Sequence, residues 1–153
     1  MMRRFAILAL AAAAALSGCA LPADRPRMTW GVTATREEGA KLVLGVAATD
    51  EVRLMMTCQP RSGAVTVTIV GRSGDGAVAE IHSGKIWNRY TGAGHADDEF
   101  PGAMDIDFHL DAADPVLTHI ADTGEIMVIL TGRRLILPNA FAPAHDFLAI
   151  CRR

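Results

Sequence analysis

The sequence is poor in several residue types that mark particular classes of protein. Only 5% of its 153 residues are aromatic and only 21% are charged, with a formal net charge of −2. Nucleic-acid-binding domains normally carry a basic patch, so this balance argues against nucleic acid as a partner. One tyrosine and two tryptophans leave no aromatic platform for stacking bases. The apolar content of 50% is too high for a disordered chain, and the length is that of one domain.

The N-terminal residues carry the strongest signal in the sequence. Arg3 and Arg4 precede an uncharged, mostly apolar run of twelve residues, 5–16. A helix needs about 20 apolar residues to span a bilayer, so this run is too short for a membrane-spanning anchor. A basic start followed by a short apolar run is typical of a secretory signal.

The four residues that follow, Leu-Ser-Gly-Cys at 16–19, resemble the lipobox of bacterial lipoproteins. In that family the cysteine receives a diacylglycerol and becomes the N-terminus after cleavage. The resemblance covers residues 1–19 and implies a signal peptide over residues 1–18. It also implies that Cys19 is the lipidation site and that residues 19–27 form a lipidated tether. Two or three acyl chains on one residue give durable attachment, whereas a single chain binds reversibly.

The residues around the cleavage point bear on location and anchoring. Residue 20 is Ala, whereas an Asp at this place retains enterobacterial lipoproteins in the inner membrane. By this analogy we expect an outer-membrane protein that faces the periplasm. Loss of residues 1–18 leaves 13 Lys and Arg against 17 acids, a net charge of about −4, so we expect the lipid to provide the anchor. The alternative is an ordinary secretory signal with an incidental cysteine.

The remaining cysteines agree with export. Lipidation of Cys19 leaves Cys58 and Cys151, and two cysteines in an oxidising compartment are expected to form a disulfide. Alternation over residues 51–58 places Cys58 on the apolar side of a strand. Apolar residues recur at i, i+3, i+4 and i+7 from Ala144 to Cys151, which is one face of a helix. The alternative is a pair of separate buried thiols.

Short apolar runs separated by turn residues predict one mainly β domain over residues 28–153. Their number and spacing favour a small antiparallel sandwich or partly open barrel with a short C-terminal helix. Residues 126–130 are apolar without alternation, which favours a strand buried on both faces. A first helix is predicted over residues 115–122 after an Asp114 cap, and a last helix is predicted to open at Pro143. Residues 92–102 are predicted to be a loop. The predicted strands are 29–35, 41–46, 51–58, 64–70, 78–82, 85–90, 103–111, 125–131 and 133–137.

This layout, together with Phe-Leu-Ala-Ile-Cys at 147–151, is similar to that of several small exported bacterial proteins. The invasion-associated locus B group and the accessory periplasmic proteins of type VI secretion share the general plan. In them a β-sandwich ends in a hairpin and a short helix, whose terminal cysteine is tied back to an early strand. The resemblance implies no catalytic residues.

An acidic stretch is the best candidate for chemistry. Residues 95–114 hold seven acids and no Lys or Arg. Asp105, Asp107 and His109 occupy alternate positions, so on a strand they line one face, and His95 from a nearby loop can complete a site. Imidazole and carboxylate ligands suit zinc or another divalent cation. The interpretation that we favour is the solvated face of an edge strand, whose charges resist edge pairing.

Other local motifs are weak. His82 and Ser83 lack the G-x-S-x-G context of a nucleophile, and residues 71–76 lack a phosphate-loop pattern. Residues 83–90 are slightly similar to the inhibitory segment of membrane-bound lysozyme inhibitors, although three extra residues follow Lys85. An ordinary strand that places its Trp or Tyr in the core is the interpretation that we favour.

We therefore expect an envelope-anchored lipoprotein whose domain is a non-catalytic binding or accessory module. No nucleophile, base and orienting group can be assembled from the sequence. We expect no cofactor beyond the lipid on Cys19, and as partners the membrane and an envelope protein. The alternatives are a divalent-metal-binding protein or hydrolase that uses His109 and neighbouring carboxylates, and a lysozyme-inhibitor-like protein.

Overall fold

Two antiparallel sheets face each other across an apolar core in the computed structural model, which describes residues 27–97 and 100–152. The predicted signal peptide, Cys19 and the tether up to residue 26 lie outside the described residues. The elements are β1 (Met28–Thr35), β2 (Gly39–Val46), β3 (Val52–Cys58), β4 (Ala64–Arg72), β5 (Val78–Ser83), β6 (Ile86–Thr91), β7 (Ala93–Ala96), β8 (Ala103–Asp111), α1 (Pro115–Thr123), β9 (Met127–Leu130), β10 (Arg133–Ile136) and α2 (Phe141–Arg152).

The strand order confirms the predicted mainly β sandwich with a short C-terminal helix. The six-stranded sheet has the order β1-β2-β3-β4-β8-β7, and the four-stranded sheet has the order β10-β9-β5-β6. The described strands form these two sheets rather than a closed barrel. Alternation explains which side chains face inward, because successive residues of a strand point to opposite faces. In β2, for example, Leu42 and Leu44 are buried, whereas Lys41 and Val43 lie on the outer face.

The two sheets differ in width, and α2 covers part of the wider one. This helix packs against β1 and β2 of the six-stranded sheet and against α1. Its buried stripe, Ala144, Phe147, Leu148 and Cys151, is the stripe that the sequence predicts. Phe147 is fully buried in the same cluster as Leu42 of β2. Burying a side chain of this size contributes about 2–3 kcal/mol relative to exposure, so α2 is part of the core.

The β6–β7 corner joins the two sheets through one residue, Gly92. β6 pairs with β5 in the four-stranded sheet, and β7 pairs with β8 in the six-stranded sheet. A Cβ at Gly92 would lie 2.2 Å from the carbonyl oxygen of Asp107, so only glycine fits here without a shift of the backbone. The chain can therefore pass directly from one sheet to the other at this corner.

Helix α1 has the ends that the sequence predicts. Asp114 is its N-cap, and the carboxylate accepts a hydrogen bond from the backbone N–H of Val116 at 2.8 Å. Pro115 follows in the first turn, where a missing N–H is tolerated. Gly124 ends the helix in the left-handed conformation, with φ of 73°, which glycine adopts without steric cost.

Three local predictions are wrong. Residues 93–96 form β7 rather than part of a loop, because backbone pairing with β8 fixes a segment that has no apolar alternation. Residues 126–130 are not buried on both faces, since Met127 and Ile129 face the partly open outer side of the sheet. Pro143 does not open the last helix. That helix begins at Phe141, whose N–H is accepted by the Asn139 side chain, and Pro143 lies within its first turn.

The predicted disulfide is present between Cys58 at the end of β3 and Cys151 at the end of α2. The Cα atoms of the two residues are 5.8 Å apart, and the residues are separated by 93 positions in the sequence. Both cysteines lie in the core. The bond therefore fixes the C-terminal helix to the middle of the six-stranded sheet.

We expect Cys58→Ala and Cys151→Ala to lower the free energy of unfolding by similar amounts, about 4–5 kcal/mol from the entropy of closing so long a loop. The double variant should lose no more than either single variant, because either change breaks the same bond. Urea unfolding of the oxidised proteins measures this, with reduced wild type as the control. Losses that add up would show that the two side chains act independently.

Candidate functional site

Two of the predicted metal ligands are held by threonines of the neighbouring strand. Asp107 and His109 point outward from β8, as predicted, and lie opposite Thr68 and Thr66 of β4. The Thr68 hydroxyl donates to Asp107 Oδ1 at 2.6 Å. The Thr66 hydroxyl lies 3.1 Å from Nδ1 of His109. These side chains therefore form part of a hydrogen-bonded polar face on the six-stranded sheet.

The other two predicted ligands are brought together. His95 lies in β7 rather than in the predicted loop, directly opposite Asp105 of the neighbouring strand β8. Within residues 27–97 and 100–152, no group of three His, Cys, Asp or Glu side chains is arranged to hold a metal ion. Protein zinc sites normally use three or four such ligands. The metal site stays a prediction, with one pair of its candidate ligands juxtaposed.

The outer face of the six-stranded sheet carries a cleft of about 420 Å³. Its floor is formed by β3, β4 and β8, and the segment that follows β7 contributes Phe100 to one wall. The side chains that matter most for its chemistry are Arg53, Met55, Thr68, Val70, Phe100 and Asp105. We call this region the sheet cleft. It combines apolar walls with one cation and several carboxylates, so it offers both apolar and charged contacts to a bound group.

The position of Asp105 in the sheet cleft shifts the pKa of its carboxyl group. Partial burial raises its pKa above the usual value, and the neighbouring Asp97 and Asp107 raise it further. The charge of the nearby His95 lowers the pKa of Asp105. Among the described residues, neither Asp105 nor Arg53 takes part in an ion pair within 4 Å. A cationic group placed in the cleft would therefore stabilise the ionised form of Asp105.

A hydrogen-bond cluster that was not predicted surrounds the buried Ser83. Its hydroxyl lies 2.8 Å from Nδ1 of His119 and 3.2 Å from the hydroxyl of Thr123. His119 and Thr123 are four residues apart on α1 and so share one face of the helix. This spacing is the one feature of the sequence that could have indicated their proximity. Ser83 has no exposed surface, so its hydroxyl is inaccessible to a substrate, although His119 is partly exposed. The hydrogen bond between them ties α1 to β5.

Residues 83–90 form the turn and most of the second strand of the β5–β6 hairpin. Tyr90 is half-buried against the core, and its hydroxyl donates to Asp114 Oδ1 at 2.9 Å. Burial, followed by the Asp114 carboxylate, raises the pKa of Tyr90 above its usual value. Trp87 is 56% exposed. Of the two aromatic residues that were expected as alternatives for the core position, Tyr90 therefore occupies it and Trp87 does not. Ser83, which begins the inhibitor-like segment, is inaccessible.

Comparisons of the chain with profiles of known protein families, with curated proteins and with solved structures found no match. In the described part of the chain, no helix has both the length and the apolar character needed to cross a bilayer.

We expect Asp105→Asn to stabilise the domain at neutral pH by less than about 1 kcal/mol, since the group is partly exposed to solvent. A raised pKa means that the folded state binds the proton more tightly than the unfolded state. Ionisation of Asp105 therefore costs stability, and this cost disappears as the pH falls below the unfolded value of about 3.9.

Thermal unfolding of wild type and Asp105→Asn at about pH 3 and pH 7 tests this prediction. Glu37→Gln, an exposed change in the turn between β1 and β2, is the matched control and should leave both midpoints unchanged. A lower midpoint for Asp105→Asn at neutral pH would mean that the carboxylate is held by a favourable charge instead.

Proposed function

We propose that this protein is a lipid-anchored envelope lipoprotein whose β-sandwich binds another envelope component and catalyses no reaction. In this proposal Cys19 carries the lipid and residues 19–27 link it to the domain. Ala20 favours delivery to the outer membrane, with the domain in the periplasm. The binding surface is the sheet cleft.

The disulfide supports the part of the proposal that concerns location. Disulfides form and persist in oxidising compartments such as the bacterial periplasm, and they are rare in the cytosol. The Cys58–Cys151 bond fits a chain that carries a secretory signal. It leaves Cys19 as the remaining cysteine of the sequence, free for the lipid.

The sheet cleft is the observation that carries the binding function. Its volume of about 420 Å³ falls within the range of about 300–1,000 Å³ that small ligands or protruding side chains occupy. Phe100 is 48% exposed at its wall, so its ring is accessible to a bound group. The walls suit an apolar group.

The charges of the sheet cleft define what the bound group should carry. Asp105 favours a cation, because a positive charge offsets its burial and the neighbouring carboxylates. Arg53 favours a carboxylate or a carbonyl oxygen. A protein segment with an apolar side chain beside a basic one meets these requirements. We therefore propose a protein segment of this composition as the bound partner.

The non-catalytic part of the proposal is supported by the environment of the candidate nucleophile. Among the described residues, Ser83 is the serine whose hydroxyl is hydrogen-bonded to a histidine ring. This serine is fully buried. The metal-dependent and lysozyme-inhibitor interpretations stay predictions, since neither rests on an arrangement that the described residues complete.

The lipid anchor is tested by mass spectrometry of the full chain expressed in a bacterial host that processes lipoproteins. We expect the wild-type polypeptide to begin at Cys19 and to carry diacylglycerol. Cys19→Ser should accumulate as the uncleaved precursor, because lipidation precedes cleavage in this family, whereas Cys151→Ala should be processed like wild type. Ordinary cleavage of Cys19→Ser would contradict the anchor.

The sheet cleft is tested by replacing Phe100 with a photo-crosslinking phenylalanine analogue in the lipidated protein in cells. We expect a crosslink to one envelope protein, and we expect Arg53→Glu to abolish it by reversing the charge of the cleft. Phe141, a 51% exposed phenylalanine outside the cleft, is the matched control position. Equal crosslinking from Phe100 and Phe141 would show that the cleft is not the binding surface.

A further inference from the structure

The outer face of the four-stranded sheet carries a row of side chains, largely apolar, that crosses all four strands. Ile136 of β10 lies opposite Met127 of β9, Met127 lies opposite His82 of β5, and His82 lies opposite Trp87 of β6. The His82 and Trp87 rings are stacked, with centroids 5.5 Å apart. At the usual strand spacing this row is about 15 Å long. We call it the cross-strand row.

The cross-strand row is exposed at both ends. Ile136 is 77% exposed and Trp87 is 56% exposed. Val78 on the same face is 42% exposed, and Phe141, at the start of α2, is 51% exposed. Single apolar residues on a surface are ordinary, but apolar side chains that share one face indicate an interaction surface.

The charged side chains beside the cross-strand row are of both signs, with Glu125 on one side of the row and two arginines and a glutamate on the other. The next row of the same face consists of Arg134, Ile129, Glu80 and Arg89. Arg89 forms an ion pair with Glu80 at 2.7 Å. Arg134 forms no ion pair within the described residues. This face therefore combines an apolar row with an available guanidinium group.

The first described strand, β1, contacts the segment that follows β10 and Ile136. The indole N–H of Trp30, two residues after Met28, donates to the carbonyl oxygen of Pro138 at 2.9 Å. Pro138 is two residues beyond Ile136. The proposed tether therefore joins the domain at an edge strand of the six-stranded sheet that contacts the segment after β10. Its nine residues, 19–27, span at most about 30 Å when fully extended.

We infer that the outer face of the four-stranded sheet rests on the bilayer surface to which the proposed lipid anchor attaches. Trp87 and Ile136 lie in the interfacial layer, where indole rings are favoured. Arg134 lies at the level of the anionic headgroups. This inference rests on the proposed anchor. The short tether keeps the domain near the bilayer, and the exposed apolar side chains of the cross-strand row favour turning this face toward the lipid.

The test uses the lipidated protein reconstituted into vesicles of phosphatidylethanolamine and phosphatidylglycerol, with brominated acyl chains as fluorescence quenchers. We expect Trp87 to be quenched, so that Trp87→Phe, which retains only Trp30, loses most of the quenching. Ile136→Glu should reduce the quenching of Trp87 several-fold while the protein still floats with the vesicles. Phe100→Glu, an equally drastic change on the opposite sheet, should leave the quenching unchanged.

The outcomes separate the two proposals. Protein that fails to float with the vesicles overturns both the anchor and the docked face. Protein that floats with Trp87 unquenched overturns the docked face alone. A dimer in detergent that Ile136→Glu dissociates also overturns it, because the face would then be occupied by a second copy. If Ile136→Glu does not fold, the comparison of wild type with Trp87→Phe still decides the result.

Discussion

The fold depends on covering the part of the six-stranded sheet that the narrower, four-stranded sheet leaves uncovered. Six strands cannot be covered by four, so the inner face of β1 and β2 needs another apolar surface. Helix α2 supplies that surface with its buried stripe, and the disulfide from Cys151 to Cys58 holds the helix in place. The core therefore includes residues from the last turn of the chain, and the loss of this helix would expose the inner side of two strands.

The same arrangement gives the domain two outer faces with different chemistry. The six-stranded sheet presents the sheet cleft, in which charged and apolar groups are mixed. The four-stranded sheet presents the cross-strand row, with apolar side chains and an available arginine. Because the outer faces of a sandwich point in opposite directions, a domain that rests on a membrane through one face directs the other away from it. In our proposal, the cleft then faces the periplasmic space.

Features of this fold that arise from local burial can be predicted from the sequence, whereas features that arise from tertiary pairing cannot. Local patterns were sufficient where burial on one side repeats along the chain, as in β4 and in the stripe of α2. They were insufficient for β7, because Ala93–Ala96 is exposed throughout and is ordered by pairing with β8. They were misleading for β9, whose apolar residues are only half-covered on the outer face.

The candidate sites show the same limit. Alternation along β8 correctly placed Asp105, Asp107 and His109 on one face. Neither the position of His95 opposite Asp105 nor the threonine partners on β4 can be read from spacing, since both depend on strand order. The contact between Ser83 and His119 joins two residues that are 36 positions apart in the sequence. Such contacts arise from tertiary packing, and a single sequence carries little information about them.

The β6–β7 corner also limits how far this domain can associate through its strand edges. Exposed edges offer unpaired backbone groups to other chains, and natural proteins keep such edges short. Here the outer edges of both sheets on one side belong to a single stretch of chain that changes sheets at Gly92. A foreign strand that pairs along β6 would find backbone partners over six residues at most, because beyond Thr91 the chain leaves the four-stranded sheet and pairs with β8 instead.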